Sequence, residues 1–167
     1  RETIVCKFGG SSLANADQIR RAEDIVRSDE RRRYIVVSAP GKDDNHPYKI
    51  TDLLCNLWET TRSRDRTIGK INLSYEKIDL PRSELISIIE STYRDIASGL
   101  NLDSSLVDGF MQELKDIDGV TLSTPELMVS RGENFNARLI AEYLGAQFVD
   151  AYNLCLLYTS DAADELD

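Results

Sequence analysis

One histidine, three cysteines and no apolar run approaching the roughly 20 residues needed to cross a bilayer are found in the 167-residue sequence, and each shortage removes a class of function. His46 stands alone in a polar loop, with no cysteine, second histidine or carboxylate pair at metal-ligand spacing. It is expected to be a solvated side chain without a role as ligand or base. Cys6, Cys55 and Cys155 are far apart, odd in number and set in apolar runs, which speaks against a disulfide framework and a zinc site and for a reducing compartment, the cytoplasm. The chain opens on Arg1 and shows no basic, apolar, small-residue signal segment, so neither secretion nor a membrane partner is expected. Positive charge is scarce as well. Twenty Lys and Arg against 29 Asp and Glu give a net charge of −9, which repels a polyphosphate backbone and argues against nucleic acid as a partner, although a small anion can still bind locally.

What is present begins at the first residues. Ile4, Val5, Cys6 and Phe8 have the β-branched and aromatic bias of a buried strand, and the run ends in Lys7-Phe8-Gly9-Gly10-Ser11-Ser12. Two glycines can bring bare backbone N–H groups against a ligand. After them Asn15-Ala16-Asp17-Gln18 opens a helical pattern with Ile19, Ala22, Ile25 and Val26 on one face. Strand, Gly-Gly turn and helix N-terminus form a cradle for a phosphate, and Lys7 adds a full positive charge. The lysine precedes the glycines, unlike a Walker loop, and the three-glycine dinucleotide fingerprint is absent, so a plain turn with a solvated strand-edge lysine is the competing reading.

Further along, Tyr34-Ile35-Val36-Val37-Ser38-Ala39 has the continuous apolar character of a strand buried on both faces of a parallel sheet. With the first strand and helix it makes a βαβ unit, which puts Ser38-Ala39-Pro40-Gly41 on the same sheet edge as Gly9-Gly10. Pro40 to Ile50 reads as a mobile polar loop, and Thr51 as the N-cap of a helix carrying Leu53, Leu54, Leu57 and Trp58. Residues 63–79 are weakly patterned. Pro81 starts an amphipathic helix that stops at Gly99; Asp103 caps another that ends near Gly119. Thr124-Pro125 opens a helix reaching Leu144, with Gly145 as its stop and Gln147-Phe148-Val149-Asp150 as the next strand. Gly132 inside that helix is either a close backbone approach or a tolerated surface glycine.

Lys7-Phe8-Gly9-Gly10-Ser11-Ser12, then Val36-Val37-Ser38-Ala39-Pro40-Gly41 with Lys49-Ile50-Thr51-Asp52-Leu53-Leu54, then Ser130-Arg131-Gly132-Glu133 closely resemble aspartate kinases of the amino-acid kinase family, in that family's order and spacing. The resemblance covers about residues 3–152. It implies an α/β three-layer sandwich with an open, mainly parallel sheet, ATP and substrate meeting at the carboxyl ends of the strands. It implies an enzyme that transfers the γ-phosphoryl group of Mg²⁺-ATP to the β-carboxylate of L-aspartate, the first step towards lysine, threonine and methionine. Lys7 would be the catalytic charge; Lys7, Phe8, Gly9, Gly10 and Ser11 would hold the ATP phosphates; Ser38, Thr51 and Glu133 would contact the substrate. No metal ligand is assigned, and the full-length protein is expected to be a homo-oligomer.

Departures from the family pattern set further expectations. A later Gly-Gly-Ser-Asp segment, the adenine-binding half and regulatory ACT domains are not in this sequence, so the chain reads as about half a kinase domain, inactive by itself. Residues 1–153 are the family part. Residues 154–167, with four acidic and no basic side chains, leave the pattern and resemble translated adapter or vector sequence, a divergent terminus being the other reading. Other amino-acid kinases (glutamate, acetylglutamate or uridylate kinase) share the Lys-Gly-Gly turn, and a non-catalytic nucleotide-binding module is the alternative from another class.

Overall fold

A computed structural model describes residues 2–60, 71–119 and 124–151. Strand β1 (Ile4–Phe8) leads through a 3₁₀ turn (Gly10–Leu13) to helix α1 (Ala16–Arg27) and strand β2 (Arg32–Val37). The strands pair in parallel, Val5 opposite Tyr34, Lys7 opposite Val36 and Phe8 opposite Val37, and the Ser38 N–H continues the ladder to the Phe8 carbonyl at 3.1 Å. This is the βαβ unit expected from the sequence. Asn15 starts α1 as a cap whose side-chain oxygen accepts the Gln18 N–H at 2.9 Å.

Period-two alternation decides what the sheet buries. Ile4, Cys6, Phe8, Ile35 and Val37 are half-buried, and Phe8, Ile35 and Val37 lie against side chains of α1 and of helix α5 (Pro125–Leu144). Tyr34 is 64% exposed and Val36 49%, beside exposed Val5 and Lys7. The expectation of a β2 buried on both faces is therefore corrected. Among the described residues helices cover one face only, and the apolar residues of the other face stay about half or more exposed.

Four helices follow: α2 (Ile50–Glu59), α3 (Arg82–Gly99), α4 (Ser104–Gly119) and α5. The stripes of α3, α4 and α5 converge on three rings. Phe110 and Phe135 stack with centroids 4.7 Å apart, and the Tyr93 ring meets both edge-on at 5.9 Å. Helix ends follow the chemistry of their residues. Thr124 Oγ1 accepts the Leu127 N–H, Pro125 opens α5, and Gly145 closes it at φ 66°. Asp103 accepts the Ser105 N–H at 2.8 Å beside the start of α4. Gly99 is less a stop than a crossing point, because a Cβ there would come within 2.6 Å of the Ala16 Cβ; the left-handed residue after α3 is Asn101 at φ 58°.

Three local expectations are overturned. The segment from Pro40 to Ile50 is not a mobile loop. It is pinned by the Gly41 N–H on the Gly10 carbonyl (2.9 Å), the Ile50 N–H on the Pro40 carbonyl (3.2 Å) and a tight Asp43–His46 turn, and within it His46 is 8% exposed rather than solvated. Nor is Thr51 the cap of α2. The cap position is Lys49, with no side-chain bond, because the Pro40 carbonyl already meets the Ile50 N–H and the helix can begin two residues sooner. Gln147–Asp150 forms no strand among the described residues. No described strand lies beside it to complete a ladder, and Val149 is 57% exposed. Of residues 63–79, those from 71 on form an irregular strap tied down by Asn56, whose Nδ2 donates to the Glu76 carbonyl and whose Oδ1 accepts the Ile78 N–H. Cys155 and the segment 154–167 lie outside the described residues.

Candidate functional site

The Gly-Gly turn and the end of β2 are built against each other. A Cβ on Gly10 would lie 2.9 Å from the Ala39 carbonyl oxygen, and one on Gly41 would lie 2.6 Å from the Gly10 carbonyl carbon and 2.8 Å from the Ser11 nitrogen. Only glycine at both positions lets the two strand ends touch backbone to backbone. Gly9 differs, since nothing lies within 4 Å of where its Cβ would be; it faces open space. The helix start that follows Gly9 is the 3₁₀ turn, not α1 as the sequence implied, because Asn15 caps α1 separately six residues on. Amides at the start of that turn have no carbonyl within the turn to bind.

Helix α5 closes the other side. A Cβ on Gly132 would meet the Ala39 Cβ at 2.9 Å and Ile50 Cγ2 at 3.1 Å, which resolves the two readings of this glycine in favour of a close approach. One turn later the buried Asn136 donates from Nδ2 to the Ser38 carbonyl at 2.7 Å. Tyr93, fully enclosed, donates its hydroxyl to the Gly132 carbonyl at 2.8 Å; burial, then the nearby Glu133 charge, pushes its phenol well above the usual range. Arg131 turns away from the crevice to Glu113 on α4 (3.0 Å), and Glu113 also holds Arg138 at 2.6 Å, whose guanidinium covers the Phe110 ring. The Ser130-Arg131-Gly132-Glu133 motif thus divides its work between adjacent residues: Arg131 anchors α5, Gly132 lets it approach, and Glu133 is left exposed.

The eight residues singled out in the sequence fall around this junction. Phe8 and Ser38 end the two strands, Gly9, Gly10 and Ser11 form the turn, and Thr51 is half-buried in the first turn of α2, next to the Ile50 that packs on Gly132. Lys7 is exposed on the bare face of the sheet, two residues before Gly9, and makes no ion pair among the described residues. Lys7 and Glu133 make no contact with each other; backbone-packed glycines and Asn136 join their elements. Sequence reasoning missed Asn136 altogether, and missed that Tyr93 bonds Gly132 and that Asn15 bonds Asp43. Asn136 follows Gly132 at i+4, a spacing that could have flagged it as facing the same neighbour.

Two titratable groups beside the junction are set by their surroundings. Burial pushes the Cys55 thiol up to about 11, helped by Asp52 and Glu59, so this thiol is no nucleophile. Burial alone would raise Asp43. Hydrogen bonds from Asn15 Nδ2 and the His46 N–H, the His46 charge and the Asn45 N–H outweigh it, and the carboxyl lies below its ordinary 3.8. A depressed folded value stabilises the fold above pH 3.8, and the contribution is lost as pH falls through the folded value. Asp43→Asn is expected to cost about 1.5 kcal/mol at pH 7, with the gap from the parent shrinking below pH 4 in urea titrations; a gap constant with pH would contradict it.

The chain has relatives among known proteins. The amino acid kinase family matches residues 2–165. Aspartokinase 3 of Bacillus subtilis is 31% identical over 166 residues, covering 94% of this chain and 33% of the relative. The crystal structure of Clostridium acetobutylicum aspartate kinase superposes with TM-score 0.72 at 33% identity, over 90% of this chain and 31% of that one. That of E. coli aspartokinase III in complex with aspartate and ADP superposes with TM-score 0.61 at 25% identity, over 86% and 29%. The chain spans about a third of the length of these relatives. Strand-end glycines packed back to back, a helix glycine closing on them and a family match along almost the whole sequence lead to one conclusion: this chain belongs to the amino acid kinase family.

Proposed function

We propose that the protein is an aspartate kinase, phosphorylating the β-carboxylate of L-aspartate from ATP to give 4-phospho-L-aspartate. One observation carries the reading: the three sequence motifs, far apart in the chain, converge through Gly10 against Gly41 and Gly132 against Ala39 and Ile50. Similarity to aspartokinases, one of them solved with aspartate and ADP, supports it. Glutamate, acetylglutamate and uridylate kinases share the Lys-Gly-Gly turn, but the Ser130–Glu133 segment favours aspartate. A non-catalytic module is disfavoured, because Lys7, both glycines, Thr51 and Glu133 are all kept.

In this reading the open space at Gly9 admits the ATP phosphates against the turn formed by Phe8, Gly9, Gly10 and Ser11. Lys7 offsets the charge that develops on the transferring group. Thr51, at a helix start, receives a substrate carboxylate with its hydroxyl, Ser38 lines the strand end, and Glu133 pairs with the α-ammonium. A β-carboxylate oxygen bonds to the γ-phosphorus as the bond to the β,γ-bridging oxygen breaks, and ADP leaves with that electron pair. No covalent enzyme intermediate forms; positioning and charge do the work. Mg²⁺ is taken to arrive bound to ATP, and no step is assigned to a metal held by this chain. Adenine and metal contacts are assigned to the length of the relatives that this chain does not span. Residues 1–153 are taken as the kinase portion and 154–167 as a tail foreign to it, although the family match runs on to residue 165. The free thiols of Cys6 and Cys55 suit the reducing cytoplasm.

Glu133→Gln in the full-length protein tests the substrate assignment. Loss of a charge-assisted hydrogen bond, about 1.5–3 kcal/mol, should raise the aspartate KM about ten- to a hundredfold and leave the ATP KM within about threefold. Equal rises in both would overturn it.

A further inference from the structure

The segment between β2 and α2 contains a polar tie that the reaction outlined above does not use. His46 Nε2 bonds Asp95 Oδ2 on α3 at 2.8 Å. Its Nδ1 lies 2.9 Å from Asp43 Oδ1, outside hydrogen-bond geometry, while its backbone N–H donates to that same oxygen at 2.6 Å. The other Asp43 oxygen accepts Asn15 Nδ2 at 2.9 Å, and Asn15 in turn caps α1 through the Gln18 N–H. Polar contacts therefore run unbroken from the start of α1, just after the 3₁₀ turn, through Asp43 and His46 to α3.

The two ends of the tied segment are the two halves of the candidate site. Gly41 packs on Gly10 beside the phosphate turn, and Ile50 packs on Gly132 next to Thr51. Between them stand Asp43, Asp44, Asn45 and Pro47, residues of turn and loop character with few apolar contacts of their own to hold them. Ordering such a stretch costs about 1–2 kcal/mol per residue in backbone entropy alone, so, apart from the packing of Tyr48 on the core, its shape depends on the few bonds it makes. His46 supplies the only one of these bonds, among the described residues, that reaches α3.

We infer that His46 is a positioning residue: by bonding Asp95 and seating Asp43 on Asn15, it fixes the spacing between the phosphate turn and the start of α2, and so between phosphoryl donor and amino-acid acceptor. This inference rests on the aspartate kinase reading. His46 makes no hydrogen bond or ion pair with Lys7, Ser38, Thr51 or Glu133 and acts through the segment that joins their elements. Each subsite keeps its own groups when the tie is cut; their separation is what changes. A misplacement of about 1 Å between reacting groups can cost about a hundredfold in rate.

The test uses the full-length protein with His46→Leu, His46→Gln and Asp95→Asn. His46→Leu should lower kcat about ten- to a hundredfold while the dissociation constants of ATP and aspartate, measured separately, stay within about threefold. His46→Gln, which keeps an N–H for Asp95, should recover most of the loss. Parental turnover in His46→Leu, or weakened binding of both ligands shared equally by His46→Gln, would overturn the positioning role. Amide hydrogen exchange separates this from failure of the kinase reading. Whatever the parent phosphorylates, His46→Leu should speed exchange at residues 43–46 and in the first turn of α1 at least about tenfold, with α4 unchanged. Unchanged exchange at those amides would remove the tie itself, and Asp95→Asn repeats the measurement from the exposed end of the tie if His46→Leu fails to fold.

Discussion

Lys7→Met in the full-length protein is expected to lower turnover by about two to three orders of magnitude, the 2.7–4 kcal/mol typical of losing one preorganised group aimed at transition-state charge. Lys7 stands on β1 two residues before the open Gly9, with no ion pair among the described residues to occupy it. Its charge is therefore available to a ligand at the turn, and methionine keeps the length of the side chain without that charge. Because the residue is exposed and contributes nothing to the core, the melting temperature should stay within a few degrees of the parent. Coupled ADP release and a thermal scan on the same preparation decide it. Near-parental turnover would remove Lys7 from the chemistry, and a collapsed melting temperature would make its role structural.

Gly41→Ala should be the most damaging small substitution to the fold itself. Its Cβ would stand 2.6 Å from the Gly10 carbonyl carbon and 2.8 Å from both the Gly10 oxygen and the Ser11 nitrogen. All three are backbone atoms, so no side-chain rotation relieves the clash, and the two strand ends must part. About 3 kcal/mol of stability is expected to go, the upper part of the range for overpacking. Gly9→Ala is the matched control. Its Cβ meets nothing within 4 Å, and the expected change is within about 0.5 kcal/mol. Urea unfolding of both variants measures the contrast; equal stabilities would mean that the turn and the end of β2 are not in contact.

Much of this was legible in the residues because local chemistry and tertiary packing agreed. Asn15 before a periodic apolar run, and Thr124-Pro125 followed by a run ending at Gly145, specify their helices through caps that need only their own few neighbours. The βαβ pattern puts Gly10 and Ser38 at one sheet edge, whereas the sequence leaves Gly132 open between a close approach and a surface glycine, because its neighbours Ala39 and Ile50 are distant in the chain. What could not be read depends on distant partners. His46 looked solvated because its neighbours in sequence are polar, whereas its partner Asp95 is 49 residues away. Thr51 looked like a cap because nothing in the sequence says that the Pro40 carbonyl reaches the Ile50 N–H. The apolar run of β2 looked doubly buried because composition cannot tell which face a neighbour covers. Gln147–Asp150 looked like a strand because strand propensity says nothing about whether a partner strand is present.

Acyl-phosphate trapping tests the central claim most directly. The full-length protein, ATP and hydroxylamine are incubated with L-aspartate, and in parallel with glutamate, N-acetylglutamate or UMP, and both hydroxamate and ADP are measured. The expected result is aspartyl hydroxamate formed with ADP one to one, dependent on aspartate and abolished to background by Lys7→Met. ADP formed with one of the other acceptors in place of aspartate, or no phosphoryl transfer to any of them, would contradict the assignment.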